Sequence, residues 1–386
     1  MREVAIVSAV RTPIAKGGRG ALRDVRPDTL AAHVIVQALE RAHVPADLIE
    51  DVVFGCAMPE AEQGMNVARI ASMLAGLPDK ASAMTINRFC SSGLNAVADV
   101  AKSIMVGEID VGIGGGVESM SLVPMGGHKP SANPELMDKF PAAYTPMGIT
   151  AENVAQRFKV SRADQDAFAL ESHKKALAAQ DDKRFTEIVA IDVDTYAEDG
   201  SKKRVTFSVD EGPRKDTSLE GLAKLRPVFD KDGSVTAGNA SPINDGAAAV
   251  VLVELSKAKA MKLDILGKFT SFATVGVPPD IMGIGPVPAV RKLLDKAGLK
   301  IADIDLFELN EAFASQGLYC IRELGLDVSK VNVNGGAIAL GHPLGCTGAR
   351  QIATLMPEMK RRGAKRGVVT MCIGGGMGAA GLIEAV

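Results

Sequence analysis

The sequence contains no tryptophan and only three tyrosines among its 386 residues. It therefore offers few of the aromatic faces on which the bases of single-stranded nucleic acids stack. Lysine and arginine number 44 against 46 aspartate and glutamate residues, which gives a formal net charge of −2. Since no overall positive field would draw nucleic acid or an anionic membrane, we predict no nucleic-acid partner.

Long apolar runs are also missing. No stretch of about 18 consecutive apolar residues occurs, so we predict no membrane-spanning helix. The first residues, MREVAIVSAVRTP, carry a short apolar run interrupted by Arg11. That run is too short for the apolar region of a signal peptide, and we interpret it as a strand. The sequence also lacks the HExxH pattern of zinc proteases and the GKS or GKT of phosphate-binding loops.

Cysteine is scarce, and its number is odd. No CxxC pair occurs, which argues against both a disulfide framework and a zinc cage, so we predict no bound metal. Free thiols of this kind fit a reducing compartment, and we predict a cytoplasmic protein. The five cysteines are Cys56, Cys90, Cys320, Cys346 and Cys372.

The chain exceeds the roughly 250–300 residues at which a single core stops growing, so at least two core-forming units are expected. Strand-like apolar runs alternate with helix-period segments, which is typical of an α/β fold with a covered central sheet. The first series is EVAIVSAV, TLAAHVIVQALERA, IEDVVFG, NVARIASMLAGL, SAMTINRF, GLNAVADVAKSIM and DVGIGGG.

The alternation stops at about residue 121 and resumes after NDGAAAVVLVEL. Residues 121–240, called the insertion below, hold prolines, mixed charge and two helical stretches, and we predict that they lie over the core. The second series is GKFTSFATVGV, PVPAVRKLLDKAG, IDLFELN, NEAFASQGLYCIREL, VNVNGGA, GCTGARQIATLMPEMKRR and GVVTMCIGGG.

The two series resemble each other in the order of their elements, which indicates an internal duplication. In each, a glycine-rich turn opens a helix, and we expect a later strand to end in three glycines, Gly114–Gly116 and Gly374–Gly376. We therefore predict an N-terminal half at residues 1–263, with the insertion inside it as a loop domain. The C-terminal half is predicted at residues 264–386.

Cys90 lies in NRFCSSGLNAV, between a strand and the start of a helix. Unpaired N–H groups and the dipole at a helix N-terminus lower the pKa of a thiol and make it a nucleophile. Ser91, Ser92 and Gly93 allow a sharp turn there. The alternative is a small buried core residue, which is the usual fate of a free cysteine.

His342 lies between a glycine and Pro343 in NGGAIALGHPLGCTGAR. We expect a rigid loop that packing does not hide, ahead of a helix entered through residues 345–348. A histidine on a loop is often a plain surface residue. The dense glycines around this one favour a functional role.

Cys372 ends a strand in TMCIGGGMGAA, and the glycines after it can aim backbone N–H groups into a cleft. The stretch also matches GxGxxA, the dinucleotide-binding fingerprint, at Gly374, Gly376 and Ala379. Only seven residues follow Ala379 (386 − 379), too few for the helix and strand that the fingerprint requires. An oxyanion hole is the better use of those N–H groups. A plain core role for Cys372 remains the alternative.

In ELNEAFA, the polar residues Asn310 and Glu311 interrupt an apolar segment. A functional role is one interpretation, and a helix N-cap formed by Asn310 is the other. The basic run at residues 360–366, KRRGAKR, is best explained as a solvated helix end whose charges suit the helix dipole.

Taken together, these stretches resemble the thiolase family over essentially the whole chain. Seven motifs occur in the family's order and at its spacing, a combination that chance does not explain. The resemblance implies a five-layered αβαβα core of two similar halves with a loop domain over the active site. The motifs are NRFCSSGLNAV, GGVESMS, MGITAENVA, GNASPINDGAA, NEAFA, GGAIALGHPLGCTGAR and CIGGGMG.

By this resemblance Cys90 attacks the thioester carbonyl and holds the acyl group covalently, while His342 takes the thiol proton. Cys372 is implied as a second acid/base that moves a proton at the α-carbon of acetyl-CoA. Two oxyanion holes are implied as well. One is formed by the N–H groups of Cys90 and Gly374, and the other by His342 with a water held by Asn310.

The resemblance also implies that the insertion binds coenzyme A, as a substrate, and that no cofactor is needed. Ser241 matches a serine that meets the pantetheine arm, and Arg214 aligns with an arginine near the nucleotide phosphates. Phe229, Met147 and Phe313 match residues around the pantetheine tunnel. A solvated surface charge is the alternative for Arg214.

Two features favour the degradative branch of the family. Biosynthetic relatives often carry histidine before the Met-Gly of the MGxT stretch, where this chain has Pro146. The segment 125–145 lacks the longer loop linked to tetramers, so we predict a homodimer, with a tetramer as the alternative. GVPPDIMGIGP and LGHPLGCTGARQ also look like degradative 3-ketoacyl-CoA thiolases.

The first expectation is therefore thiolytic cleavage of 3-ketoacyl-CoA, and the second is formation of acetoacetyl-CoA by the same residues in a narrower pocket. A decarboxylating ketoacyl synthase would need a histidine or asparagine where this chain has Cys372. A non-catalytic acyl-CoA binder would not need Cys90, His342 and Cys372 together. Both are less favoured.

Overall fold

The protein is described here by a computed structural model, which covers residues 1–196 and 200–386. The strands in this part of the chain are β1 (Val4–Arg11), β2 (Ala15–Lys16), β3 (Asp51–Gly55), β4 (Ser82–Ile86), β5 (Val111–Ser119), β6 (Ile191–Tyr196), β7 (Lys202–Phe207), β8 (Asn244–Glu254), β9 (Gly267–Gly276), β10 (Leu306–Leu309), β11 (Arg366–Ile373) and β12 (Met377–Glu384).

The α-helices of the described residues alternate with these strands, as the two apolar series predict. They are α1 (Pro27–Ala42), α2 (Val67–Leu74), α3 (Ser92–Val106), α4 (Pro134–Lys139), α5 (Met147–Arg157), α6 (Arg162–Asp181), α7 (Leu219–Ala223), α8 (Leu255–Ala260), α9 (Pro286–Ala297), α10 (Ala314–Leu324), α11 (Ala337–Leu340) and α12 (Thr347–Arg362).

The strands of the first series form a sheet in the order β4-β3-β5-β8-β1. Those of the second series have the order β10-β11-β12-β9, counted from the outer edge inwards in the same way. In the first, β3 runs parallel to β4 and β5, and β8 is antiparallel to β5 and β1. In the second, β10 is parallel to β11, and β12 is antiparallel to β11 and β9. The strand order is therefore the same in both series, and the duplication is a property of the fold.

The two sheets meet where β1 pairs with β9 over two residue pairs, Ala5 with Lys268 and Ile6 with Gly267. Every residue of β1 is buried. A continuous apolar run that is buried on both faces is typical of a central strand covered by helices on each side. β1 accordingly lies inside the molecule, where it joins the two halves.

Apolar clusters on the two outer faces and between the sheets define five layers. Helices α1 and α2 cover the outer face of the first sheet, α3 and α12 lie between the sheets, and α9 and α10 cover the outer face of the second. The fold is therefore αβαβα, as predicted. Representative residues of the three clusters are Leu30, Ile35 and Phe54; Leu94, Ile352 and Met371; and Val290, Ile321 and Phe307.

Two glycines allow α3 and α12 to approach closely at their N-terminal ends. A Cβ on Gly93 would lie 2.7 Å from the carbonyl oxygen of Gly345, and one on Gly348 would lie 2.3 Å from the amide nitrogen of Leu94. A side chain at either position would meet backbone. The turns that precede the two helices are thereby brought together in the middle of the molecule.

In the chain, the insertion lies between β5 and β8. Its described residues add no strand to the main sheet, and Ile188 makes one bridge to Arg11 at the end of β1. Its two predicted helices are α5 and α6, and its strands β6 and β7 pair only with each other in a small separate sheet. The domain boundaries at residues 121, 240 and 263 stay predictions. In the described residues, no helix is both long enough and apolar enough to cross a membrane.

Two expectations about the strands are wrong. Gly114–Gly116 lie inside β5, which continues to Ser119. The glycines leave room for close packing, since a Cβ on Gly114 would meet the backbone of α3. VNVNGGA forms no strand: Val331 makes a single parallel bridge to Phe307, and the backbone of Asn332 then turns with a φ of 44°. A left-handed residue of this kind ends an extended run.

Candidate active site

Cys90 lies in a tight turn, Phe89–Ser91, directly before α3. Phe89 has a φ of 42°, and its N–H donates to the Asn87 side-chain oxygen at 2.8 Å. The Ser92 hydroxyl accepts from the N–H of Arg88 and donates to the carbonyl of Phe89. These bonds hold a strained backbone in one shape, and strain that is overdetermined in this way is typical of functional turns.

The Cys90 thiol is 1% exposed. Burial raises the pKa of Cys90 to about 11, although its own N–H and that of Gly374 bond to the sulfur and lower it. The expectation that the helix N-terminus lowers the pKa of this thiol is therefore wrong for the free protein, because loss of hydration outweighs the two donors. A nucleophilic role for Cys90 would therefore require a base.

His342 is buried, with 4% of its surface exposed. The prediction of a loop that packing does not hide is wrong, because the turn lies between the two halves. Its backbone N–H donates to Asn244 Oδ1 at 3.0 Å, and its Nδ1 lies 2.6 Å from Thr347 Oγ1. The Thr347 hydroxyl donates to the carbonyl of Pro343 at 2.9 Å. The threonine oxygen is left to accept, so Nδ1 carries the proton and Nε2 is the free base.

Burial lowers the pKa of His342 to about 3, with the positive charge of Arg350 adding to the effect. The imidazole is therefore neutral at physiological pH, and its Nε2 carries no proton. Because proton uptake is disfavoured in the free protein, the histidine would hold a proton best when a negative charge develops beside it.

Asn310 follows β10, and its Nδ2 lies 3.3 Å from Nε2 of His342. The alternative role as a helix cap is wrong, because α10 begins at Ala314 with Phe313 at the N-cap and no side-chain cap bond. Oδ1 of Asn310 is buried and has no partner among the described residues. The side chain is therefore directed at the histidine, with one acceptor left over.

Cys372 lies near the end of β11, fully buried, and Gly374 follows that strand. Burial raises the pKa of the Cys372 thiol well above its usual range, and the nearby Cys90 raises it further. The end of β11 lies against the Cys90 turn, because the N–H of Gly374 bonds to the Cys90 sulfur and a Cβ on Gly374 would lie 3.8 Å from the Phe89 ring. Ala379 lies within the antiparallel strand β12, so the dinucleotide-binding alternative is excluded by the fold.

Three of the predicted coenzyme A contacts lie on the Cys372 side of the site. Met147 packs against a cluster that contains Cys372 and Phe313, and the rings of Phe313 and Phe229 meet edge to face at 6.2 Å. A Cβ on Gly374 would lie 3.8 Å from the Met147 sulfur. The walls beside the cysteines are therefore apolar, as a pantetheine arm or an acyl chain would require.

Arg214 lies elsewhere, on a cleft of about 440 Å³ that separates the insertion from the core. Lys16, Arg19 and His173 also line it, and so do both neighbours of Ser241. Burial lowers the pKa of His173 to about 4, so this ring is neutral. Three cationic side chains around one opening suit a phosphate-bearing ligand.

Sequence reasoning did not single out the polar groups that hold the two turns in place. They are Asn87, Glu118, Asn244 and Thr347. Glu118 could have been predicted from the sequence, because it is a charged residue at the end of an apolar strand inside the motif GGVESMS. The other three are ordinary polar residues; Asn87 and Asn244 have partners 30 and 98 residues away, whereas Thr347 bonds within its own turn.

Comparison with known proteins covers the whole chain. Residues 4–256 match the N-terminal domain of thiolase, and residues 263–385 match its C-terminal domain. The chain is 54% identical to the 3-ketoacyl-CoA thiolase of Bacillus subtilis over 390 residues, with 100% of both proteins covered.

Two solved structures agree with this match. The dimeric peroxisomal thiolase of Saccharomyces cerevisiae aligns with a TM-score of 0.90 at 45% identity, over 100% of this chain and 98% of that one. The acetyl-CoA acetyltransferase of Bacillus anthracis aligns with a TM-score of 0.91 at 42% identity, over 100% and 99%. With the motifs, the duplicated five-layered fold and both domains matched, the chain belongs to the thiolase family of acyltransferases.

Proposed function

We propose that the protein cleaves 3-ketoacyl-CoA with coenzyme A, giving acetyl-CoA and an acyl-CoA shortened by two carbons, through an acyl thioester on Cys90. The observation that carries this proposal is the approach of the end of β11 to the turn of a buried thiol. The Cys90 sulfur has two backbone N–H donors, its own and that of Gly374, which lies two residues after Cys372. The 3-ketoacyl-CoA thiolase of Bacillus subtilis supports the choice of substrate.

The first half-reaction transfers the acyl group to the protein. The Cys90 proton moves to Nε2 of neutral His342, and the sulfur attacks the 3-keto carbon of the substrate. The carbon–carbon bond to the α-carbon then breaks, and Cys372 gives its proton to that carbon, so acetyl-CoA leaves. Covalent catalysis of this kind divides one difficult step into two easier ones.

The second half-reaction returns the acyl group to coenzyme A. The incoming thiol gives its proton to the Cys372 thiolate, and its sulfur attacks the acyl carbonyl held on Cys90. The bond between the Cys90 sulfur and the acyl carbon breaks, the acyl-CoA leaves, and the Cys90 sulfur takes its proton back from His342. In each half-reaction negative charge develops on a carbonyl oxygen, which the N–H groups of Cys90 and Gly374 are placed to hold. One such donor is worth about 2.7–4 kcal/mol.

The proposed enolate of acetyl-CoA has its own donors. Once protonated, His342 Nε2 can donate to the thioester oxygen, and the Asn310 amide next to it can hold a water there. No cofactor is invoked. Coenzyme A is proposed to lie along the cleft with its phosphates near Arg214 and its pantetheine arm past Ser241, directed at Met147 and Phe313.

A chain-length series tests the substrate. Initial rates on acetoacetyl-CoA and on 3-ketoacyl-CoA thioesters of increasing length should show activity that continues beyond four carbons. The acetyl-CoA acetyltransferase of Bacillus anthracis supports the second candidate, condensation of two acetyl-CoA molecules. Activity confined to acetoacetyl-CoA would favour that candidate.

Mass spectrometry tests the intermediate. After brief mixing with acetyl-CoA, the peptide that holds Cys90 should gain one acetyl group, and the peptides of Cys372 and Cys320 should not. A protein that binds acyl-CoA without turnover would show no adduct. The adduct is independent of chain-length preference, so it separates the chemistry from the specificity.

We also propose a cytoplasmic homodimer that works in β-oxidation. All five cysteines are free, which suits a reducing compartment. Strand β4 lies at the edge of the sheet, and large apolar side chains near it are exposed, among them Met84 at 46%, Met65 at 90% and Leu74 at 59%. An exposed edge with apolar neighbours is typical of a strand-to-strand interface.

Light scattering tests the dimer. The wild-type mass should be twice that of the 40.3 kDa chain, and Met84→Lys should shift it towards the monomer, because a charge would be buried in the interface. Val328→Lys is the matched control, since Val328 is 61% exposed on the other half. Unchanged mass in Met84→Lys would place the interface elsewhere.

A further inference from the structure

Glu118 lies near the end of β5 and is fully buried. Its carboxylate accepts from the backbone N–H groups of Ala57 at 2.8 Å, Met58 at 3.2 Å and Gly345 at 2.7 Å. It also accepts from the Gln63 amide at 2.8 Å and lies 3.7 Å from the Cys56 thiol. Several donors directed at one buried carboxylate stabilise its ionised form, against the opposing effect of burial.

One chain of hydrogen bonds leads from Glu118 to the nucleophile. The Ala57 N–H donates to the carboxylate, and the carbonyl of the same residue accepts from Asn87 Nδ2 at 3.0 Å. The side-chain oxygen of Asn87 accepts from the N–H of Phe89, the left-handed residue before Cys90. Glu118 therefore holds, through two links, the turn that aims the thiol.

A second chain leads from Glu118 to the base. The Gly345 N–H belongs to the turn between His342 and Thr347, which fixes the imidazole at Nδ1. A Cβ on Gly345 would lie 2.8 Å from Glu118 Oε2 and 2.7 Å from the Cα of Cys56. Only a glycine fits between the carboxylate and this turn, so the contact depends on close backbone approach.

The carboxylate also acts through its charge. Glu118 raises the pKa of Cys90, although burial is the larger cause, and it raises the pKa values of the neighbouring thiols Cys56 and Cys346 in the same way. Burial raises the pKa of Glu118 itself, and its N–H donors lower it. Those three thiols are the titratable groups on which its charge acts.

We propose that Glu118 is a positioning residue for the reaction. Its buried carboxylate holds the turn of the nucleophile in one half against the turn of the base in the other half. This inference rests on the roles proposed for Cys90 and His342. A carboxylate suits the task because both of its oxygens accept hydrogen bonds. An amide would point its two N–H bonds at neighbours that are themselves donors. Misplacement of such turns by about 1 Å costs on the order of 10²-fold in rate.

The test uses the full-length protein with Glu118→Gln, Glu118→Asp and Asn87→Ala. In Glu118→Gln we expect kcat to fall about 10²-fold with KM nearly unchanged. Alkylation of Cys90 by iodoacetamide should reach its half-maximal rate at a lower pH than in the wild type, because the negative charge has gone. Glu118→Asp keeps the charge with a shorter reach, so it should lose kcat and keep the wild-type alkylation profile.

Asn87→Ala cuts the first chain without touching the buried carboxylate, and Asn87 is exposed, so the variant should fold. It should lower kcat less than Glu118→Gln does and leave the alkylation profile unmoved. Glu187→Gln is the control, because Glu187 is equally buried and pairs with Arg11 at 3.0 Å outside both turns. It should lower the unfolding temperature without changing the alkylation profile.

A Glu118→Gln protein with wild-type kcat and an unmoved alkylation profile would overturn the inference. So would an Asn87→Ala protein with wild-type kcat, should Glu118→Gln not fold. Failure of the proposed function has a different signature, since the wild type itself would then form no acetyl adduct on Cys90. The alkylation profile needs no substrate, so it is measurable in either case.

Discussion

The two halves share a strand order and differ most at the outer edge of their sheets. In the first half the edge is a full strand, β4, which pairs with β3 over five residues from Asp51 to Gly55. In the second half the corresponding segment makes one bridge, between Val331 and Phe307. The same topology is therefore completed by a strand in one half and by a single residue in the other.

Asn332 replaces most of the missing strand. Its side chain accepts from the N–H of Leu309 at 2.9 Å and donates to the carbonyl of that residue at 2.8 Å. It also donates to Glu311 at 2.8 Å. One amide thus reproduces the bonds of a neighbouring strand, and the chain is free to turn away towards the histidine.

That difference explains how one fold repeated twice supplies two kinds of chemistry. After β4, a short turn at residues 87–91 leads directly into α3 and carries a thiol. After Val331, a long stretch at residues 332–346 leads to α12 and carries an imidazole. Since α3 and α12 begin close together, the short turn and the long one meet, and Cys90 of the first half shares an apolar cluster with Leu344 of the second.

Removal of the thiol from the first half should have the largest effect. Cys90→Ala should lower kcat by about 10⁴-fold or more, because loss of a nucleophile leaves only binding and oxyanion stabilisation. It should also abolish the acetyl adduct on mixing with acetyl-CoA. Cys320→Ala, in the outer layer of the second half, should keep the adduct. An adduct that persists in Cys90→Ala would place the nucleophile elsewhere.

Removal of the base from the second half should come next. His342→Gln should lower kcat by about 10²–10⁴-fold, the usual contribution of a general base. Because the pKa of His342 is lowered from 6.5 to about 3, we expect no loss of wild-type activity near pH 6.5 from this group. A pH profile of kcat/KM that falls with a midpoint near 6.5 in the wild type and not in the variant would contradict this.

The same histidine should affect stability. Its pKa is lower in the folded than in the unfolded chain, so between pH 6.5 and about 3 the unfolded chain binds a proton that the folded chain does not. The free energy of unfolding should therefore fall as the pH drops through this window. Denaturation at several pH values should show a weaker dependence in His342→Gln than in the wild type.

The contact between the halves can be broken at the helices. Gly348→Ala places a methyl group 2.3 Å from the backbone of Leu94, and we expect it to lower the free energy of unfolding by about 3 kcal/mol. Urea denaturation measures the loss. Gly221→Ala is the control, since its Cβ would approach only the Ser218 hydroxyl, at 3.3 Å. Equal stability of the two variants would mean that α3 and α12 are not packed this tightly.

The replacement of the edge strand can be tested at Asn332. Asn332→Ala leaves the N–H and carbonyl of Leu309 unpaired, and each unpaired buried group costs about 1–3 kcal/mol. Asn332→Gly loses the same bonds but adopts the φ of 44° freely. It should therefore be the more stable of the two, by about 1 kcal/mol. Wild-type stability in Asn332→Gly would show that the side chain does not support the sheet.

Much of this arrangement follows from the sequence for physical reasons. Apolar periodicity places the strands and helices, because burial of one face has the same period in any context. The glycine-rich surroundings of Cys90, His342 and Gly374 mark the three turns, since tight turns and close contacts need that residue. The five layers come from the resemblance to a known family, and the packing of α1, α3 and α12 agrees with them.

What the sequence could not predict depends on contacts between distant residues. His342 was expected on an open loop and is buried, because α3 from the other half covers its turn. Asn310 was open to a capping role, and the structure decides against it, because α10 begins at Ala314 with Phe313 at its N-cap and the Asn310 amide lies 3.3 Å from His342. The raised pKa of Cys90 is of the same kind, since hydration is lost only when the halves close over the thiol.

The sealed edge beside β10 also limits how the protein can assemble. A sheet with two open edges can add further copies at both ends and grow into a filament. Here Val331 and the amide of Asn332 occupy the outer side of β10, while β4 lies at the opposite end of the sheet. In the proposed dimer, strand addition through β4 would use up the free edge of each copy, and polymerisation by this route would end at two.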